Sequence, residues 1–461
     1  MKKKDKITRK KAREHLNQLK LACELSKIIK HCFPDLVTLL KQIPDPRNQS
    51  YITYPSIVLL MTRILSSVFY ISSMRKTSEE FNSDIVIENI WELCGEEQTV
   101  NELPYWETIN RYLEKLDNEC LQEKVCELCR RLIRSRTFEE ARIRGKYWQI
   151  IIDGTGLYST RDEVDEKCPY RIHNKGTQEE YRENYYYVLE AKLVLHPNVV
   201  VSILTEFVEN VDMSETGKQD CERKACWRLM KKLKKAFPHL KVCLSADSLY
   251  ACERFFKECA QNNWHYILRF KEGSIPTIGE EYRSLKEMQQ NGYKEVRGEA
   301  ECRYDYVTGI DYKGNKINLV EYEEERKTKI KKGKRKGEVK EELKKFWFIT
   351  DLPLSVKNVA SVVERGRMRW KIENEGFNTQ KNHGYHLEHQ YSRDYQGYKN
   401  HYYLIQIGHM ISQIMEVYEK LWKGMKQSME QKHKRMLESF KTVRLREYVE
   451  ELEERFQIRF E

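Results

Sequence analysis

The sequence predicts a mixed α/β fold, in which a core of alternating strands and helices carries a β-rich insertion between helical N- and C-terminal regions. Three observations carry that expectation. Residues 1–144 place apolar side chains at helical spacing throughout. From residue 145 short apolar runs of strand length take over, punctuated by turn signals. Residues 272–345 then break the alternation with strand-like pieces around a dense charge run, before Trp347-Phe348-Ile349-Thr350 resumes strand character.

In the helical front, residues 11–31 carry Leu16, Leu19, Leu21, Leu25, Ile28 and Ile29 at helical spacing. Pro44 and Pro46 break the pattern, since each disfavours helix at the residue before it. Further helices are expected over residues 55–70, 88–94, 106–116 and 119–133. Cys126-Glu127-Leu128-Cys129 matches C-x-x-C, but no second pair lies at zinc-ribbon distance. Two thiols on a helix facing core is the expected role.

The middle begins with Tyr147-Trp148-Gln149-Ile150-Ile151-Ile152, a run of buried-strand character ending at Asp153. Residues 185–195 and 199–208 read as strands joined by His196-Pro197-Asn198, giving three antiparallel strands with 149–153. A basic helix over 218–236, a strand over 242–246, a helix through 260 and a strand over 264–270 follow. Inside the insertion, residues 301–308 and 317–322 look like strands. A helix is expected over 359–381. The tail is helical from 401, with Tyr403, Leu404, Ile407, Ile411, Ile414 and Val417 along one helix, a basic stretch over 420–435 and an amphipathic one over 445–456.

Chemistry concentrates in three carboxylates. Asp153 and Asp247 each end a strand, and Glu373 lies in the 359–381 helix. Two strand-end aspartates and a helical glutamate suit a pair of Mg²⁺ ions, roughly 3.5–4 Å apart in such sites, that stabilise attacking and leaving oxygens of a phosphoryl transfer. Magnesium prefers such oxygen ligands and keeps several waters. Among the bystanders, Asp162, Glu163 and Asp165 belong to a polar loop, and Asp351 ends a strand but reads as part of a turn. Glu375 is expected on the opposite helix side from Glu373. His383, His386 and His389 recur at spacing three without a cysteine or acidic companion, so a DNA-contacting or structural role is expected.

At Ile152-Asp153-Gly154-Thr155, Ala246-Asp247-Ser248-Leu249-Tyr250, Trp347-Phe348-Ile349-Thr350-Asp351-Leu352 and residues 369–381, the chain resembles the DDE transposases of bacterial insertion sequences. It looks most like the IS-four-like branch, whose ribonuclease H-like catalytic fold carries a β-rich insertion before the last carboxylate. The resemblance spans roughly residues 145–390. That branch has tyrosine, arginine, glutamate and lysine at fixed steps along its last helix. Arg369 and Glu373 fit; Gly366 stands at the tyrosine position and Gln380 at the lysine position, with Lys381 one residue later. Leu103-Pro104-Tyr105-Trp106-Glu107-Thr108-Ile109-Asn110-Arg111-Tyr112 resembles the segment that precedes the catalytic domain in these enzymes.

The resemblance implies Asp153, Asp247 and Glu373 as catalytic metal ligands, with two Mg²⁺ ions for which Mn²⁺ can substitute. It also implies Arg369 and Lys381 on phosphates of the cut strand, and transposon-end and target double-stranded DNA as partners of a homodimer in a synaptic complex. The reaction would be end cleavage followed by strand transfer, in a prokaryotic cytoplasm at the nucleoid. A nuclease of the same fold that cuts without joining, and an inactive DNA-binding relic, are the competing readings. The expected division is 1–144, a helical region that reads DNA ends or caps the core; 145–390, the catalytic domain with insertion 272–345; and 391–461, a basic helical region for dimerisation or DNA contact.

Charge agrees with a polyanionic partner. The chain carries 82 basic and 71 acidic residues, net +11, and fixed positive charge gains affinity by releasing counterions from nucleic acid. The densest run, residues 326–345, holds eleven basic residues against Glu338, Glu341 and Glu342. Its glycines suggest a loop, either simply solvated or gripping phosphates through Lys331, Lys332, Lys334, Arg335 and Lys336. At 40% hydrophobic and 33% charged, the composition is globular rather than disordered. The longest apolar stretch, 57–74, is interrupted by Arg63 and hydroxyl residues, and no membrane span or secretory signal is expected. Thirteen scattered cysteines predict reduced thiols in a cytosolic compartment.

Overall fold

The computed structural model describes residues 20–210, 219–271, 273–329, 337–418 and 420–448. It is a mixed α/β molecule built on a single ten-stranded sheet. The strands are β1 (Trp148–Thr160), β2 (Tyr170–His173), β3 (Tyr181–His196), β4 (Val199–Phe207), β5 (Val242–Ala246), β6 (His265–Phe270), β7 (Gly292–Arg297), β8 (Ala300–Tyr312), β9 (Asn315–Lys329) and β10 (Val339–Thr350).

β1, β3 and β4 are antiparallel, as their hairpin signals predicted, whereas β5 and β6 run parallel to β1. The order β4-β3-β1-β5-β6 is the expected ribonuclease H-like core. Ile150, Ile151 and Ile152 are fully buried because both sheet faces are covered there, which is why the run is continuously apolar rather than alternating.

The insertion does not stand apart as its own module. β10 pairs antiparallel with β6, Trp347 opposite Phe270 and Thr350 opposite Ile267, so β10-β9-β8-β7 lengthen the core sheet from its edge. The charge run expected as a loop is mostly strand: its arms belong to β9 and β10 and cross-pair in register. Lys327 pairs with Glu325 and Glu341, Lys344 with Glu342, Arg326 with Glu324, and Lys345 with Glu323. The glutamates of β9, just outside the counted run, thus offset much of its charge. Lys331, Lys332, Lys334, Arg335 and Lys336 lie outside the described residues.

The N-terminal helices include α1 (Leu21–Cys32), α2 (Leu36–Lys41), α3 (Ser56–Val68), α4 (Met74–Glu80), α5 (Asp84–Cys94), α6 (Trp106–Lys115) and α7 (Asn118–Arg134). After β4 come α8 (Glu222–Ala236) and α9 (Glu253–Gln261), and the insertion opens with α10 (Pro276–Gln289). The C-terminal part has α11 (Val359–Arg367), α12 (Thr379–Asn382), α13 (Tyr395–Tyr418), α14 (Lys420–Gly424) and α15 (Met429–Thr442). One apolar cluster runs from α1 and α3 through the core strands to α13 and α15. On α7, the Cys126 and Cys129 thiols are buried and donate to the Ile203 and Ser202 carbonyls of β4, so they serve as core. Burial pushes the Cys126 thiol up to about 12. No helix among the described residues is long and apolar enough to cross a membrane; α3 keeps Arg63 buried by donating to His401, Ser66 and Ser67.

The single helix expected over 359–381 is broken. α11 stops at Arg367, a turn follows at Met368 and Arg369, and Ile372–Asn378 is π-helical before α12. Packing imposes the break: Ile372 and Phe377 sit against Ile151 of β1 and Val194 of β3, while Gly376 lies over Lys192, where a Cβ would meet the lysine Cε at 3.1 Å.

Candidate active site

β1 and β5 are neighbouring parallel strands with Ile151 beside Ser245. Asp247 follows two residues after Ser245, just past the end of β5, and Asp153 two after Ile151 on the neighbouring strand, about 4.8 Å away. Asp153 does not end its strand as expected: β1 runs on to Thr160 because it stays paired with β3, so the two aspartates meet at the level where β5 stops. In open α/β sheets the carboxyl ends of parallel strands are where ligands bind. Asp247 caps the short 3-10 turn Ser248–Tyr250, its Oδ1 accepting the Leu249 N–H at 2.7 Å. That contact fixes the side chain at the strand end.

Asp153 accepts its neighbour's Gly154 N–H at 3.0 Å and the Arg369 guanidinium at 2.9 Å. Burial pushes its carboxyl up to about 6; Arg369 and the Gly154 N–H oppose that rise, and the charges of Glu222 and Asp247 add to it. The Arg369 guanidinium thus pairs with Asp153 of β1, with both side chains mostly buried.

Beyond Arg369 the π segment sets directions. Its wider turn leaves backbone carbonyls that side chains satisfy, Gln413 donating to Glu375 and Thr379 to Asn374. Glu373 is exposed and makes no hydrogen bond or ion pair to a described residue. Glu375 is paired with Lys371 at 3.0 Å and its backbone is held by α13, so the two glutamates have different surroundings. The α-helical angle between them, however, does not apply in a π turn.

The same turn accounts for the late lysine. A π turn closes i to i+5 instead of i to i+4 and so absorbs one extra residue. Gln380 is fully buried, bonded to Gln406 and His409 of α13. Lys381 instead reaches the Gly156 carbonyl on β1 at 2.7 Å, three residues past Asp153, and pairs with Glu388. Gly366 is equally determined by packing: a Cβ there would stand 2.6 Å from the Phe348 ring of β10, so no tyrosine fits.

The structure therefore brings together Asp153, Asp247, Arg369 and, through β1, Lys381. It does not gather the acidic trio into one closed cluster: among the described residues no three His, Cys, Asp or Glu side chains are grouped to hold one ion. It adds Glu222, a carboxylate that sequence reasoning missed. Glu222 opens α8 and accepts hydrogen bonds from Tyr187 of β3, at 2.8 Å, and from Tyr250. Only the solitary acid at the head of a basic helix hinted at it. Asp351 is at the other end of the sheet, bonded to His265 at 2.7 Å. Asp162, Glu163 and Asp165 are exposed after β1. Burial pushes His386 and His389 down, away from charge.

Asp153 and Asp247 supply hard oxygen donors, and the carboxylates crowded at this edge, with Glu222, hold more negative charge than Arg369 balances. A hard divalent cation fits that donor set. A model of the transposase DDE domain family matches residues 144–411, a span holding every residue of this site. No curated protein compared with the chain matches it. With more than half of its length matched and two aspartates converging at one sheet edge, the chain belongs to the transposase DDE domain family.

Proposed function

We propose that this transposase cleaves DNA at transposon ends and joins the freed 3′ hydroxyl to target DNA, in the manner of the insertion-sequence branch it resembles. The observation that carries this reading is the register of β1 and β5, which sets Asp153 and Asp247 side by side at one sheet edge. In the reading, Asp153, Asp247 and Glu373 hold a pair of Mg²⁺ ions, or Mn²⁺ in their place. Bound there, the ions would supply charge stabilisation at the attacking and leaving oxygens.

The chain's own share is position and charge. Arg369 holds Asp153 in place until the site is loaded, and its guanidinium is then free to hold a strand phosphate bidentately. Lys381, beside Gly156, adds a second cation along the same strand. Glu373, on the exposed side of the π segment, would supply the third carboxylate. The helical regions before 145 and after 390 provide end recognition and pairing of two protomers.

A strand-transfer assay with a labelled, pre-cut end tests the proposal. Joined product supports it. Cleavage of an intact end without joining supports a nuclease, and binding with neither reaction supports a relic.

A further inference from the structure

We infer that Glu222 is a positioning residue, a carboxylate bracket that locks the Asp247 turn against the Asp153 strand through two tyrosine hydroxyls. Its Oε2 accepts from Tyr187 on β3 at 2.8 Å, and its Oε1 accepts from Tyr250, the last residue of the 3-10 turn that Asp247 caps. One carboxylate thus ties together the strand beside Asp153 and the turn that begins at Asp247. Its third contact is with the Asp153 strand itself. A Cβ on Gly154 would lie 2.9 Å from the Glu222 carboxyl carbon and 2.7 Å from the Tyr187 ring, so only glycine lets β1 close against the bracket.

The bracket is rigid from both sides. Tyr250 is fully buried, and α8 fixes Glu222 from its first turn, where a carboxylate also gains from the helix dipole. Both Glu222 oxygens are engaged by hydroxyl donors, which suits a residue that acts on Asp153 and Asp247 by holding their backbones. Groups that orient metal-binding side chains typically change affinity by about 10–100-fold when removed.

The inference rests on the reading of Asp153 and Asp247 as cation ligands, and the test separates the two. The full-length chain is titrated with Mn²⁺ and the free-ion electron paramagnetic resonance signal recorded. Glu222→Gln, Tyr187→Phe and Tyr250→Phe should each weaken Mn²⁺ binding by about 10-fold. The Mg²⁺ concentration for half-maximal cleavage should rise alike, with end-DNA affinity at wild-type values and the thermal midpoint lowered only as the loss of one buried hydrogen bond requires. Glu222→Gln with Tyr250→Phe should bind no worse than Glu222→Gln alone, because both remove one linkage. Tyr187→Phe, at a half-buried position, keeps the test open if Glu222→Gln does not fold. Wild-type Mn²⁺ affinity in all three variants overturns the inference. So does loss in Glu222→Gln alone, which makes Glu222 a direct ligand. Asp153→Asn that still binds Mn²⁺ normally instead overturns the underlying site.

Discussion

Arg369 shows how a single contact sets the state of this site. With its guanidinium on Asp153, it opposes the rise that burial imposes on that carboxyl. Glu373 and Glu375 give the sharpest residue-level prediction. Glu373→Gln preserves size and hydrogen bonding but removes the charge a divalent ion needs, so end binding should survive while cleavage falls to background. Glu375→Gln loses only a partly exposed pair with Lys371, generally worth about 0–1 kcal/mol, and should keep most activity. Cleavage assays in Mg²⁺ and in Mn²⁺, with Asp153→Asn and Asp247→Asn as references, decide this; a dead Glu375→Gln beside an active Glu373→Gln refutes the assignment. At Gly366, alanine meets the Phe348 ring at 2.6 Å and should cost about 1–3 kcal/mol in denaturant unfolding, as overpacking does. Phe348→Leu in the same chain should recover part of that loss, and additive losses would show that the ring is not the obstacle.

Among the elements, the insertion hairpin and the π segment depart most from simple expectation. The arms of the hairpin neutralise themselves by cross-strand pairs between β9 and β10. Replacing Lys331, Lys332, Lys334, Arg335 and Lys336 with glutamine should weaken DNA binding and flatten its dependence on salt, with sequence preference unchanged. Equal affinity and equal salt slope in a filter-binding titration would assign the run to solvent. The π segment is held by a buried polar network in which Gln380, Gln406, His409 and Gln413 bond one another and Lys192 bonds Gln406. This network is what turns Lys381, rather than Gln380, toward β1.

At the scale of the whole molecule, two predictions concern pH and assembly. Burial, reinforced by nearby positive charge, holds two imidazoles of α13 well below their usual pKa: Arg63 and His389 face His401, and Lys192 faces His409. Both stay neutral in the fold while the unfolded chain takes up protons below about pH 6.5, the ordinary imidazole value. The unfolded state then binds more protons, so stability is complete above that pH and is lost as pH falls, by about 1.4 kcal/mol per unit for each histidine. Urea unfolding between pH 7.5 and 5.5 should show the slope, and His409→Gln should reduce it by one proton; a flat profile would contradict both. Joining two DNA ends requires two active sites, so a complex with end DNA should contain two protomers by light scattering. Paired-end cleavage by a strictly monomeric complex would contradict that expectation.

Much of this was written locally. The apolar run before Asp153, the shorter one before Asp247 and the His196-Pro197-Asn198 turn specify strands and a hairpin through nearest neighbours, so the core order and both aspartates were legible in the sequence. The helical periodicity of residues 21–134 was legible for the same reason. Other features depend on groups far apart in the chain and leave no periodic signal. Phe348 excludes a side chain at Gly366. Val194 and Lys192 seat the π segment that advances Lys381. β6 captures β10 and fuses the insertion to the core sheet. Tyr187 and Tyr250 bring Glu222 to the aspartates. The sequence by itself determined that Asp247 follows the end of β5 and that Asp153 follows the buried apolar run of β1, because strand and turn preferences act over a few residues; that β1 continues past Asp153 to Thr160 is set by its pairing with β3. Only the tertiary structure decided what stands around them, because close packing and hydrogen-bond satisfaction are settled between distant segments.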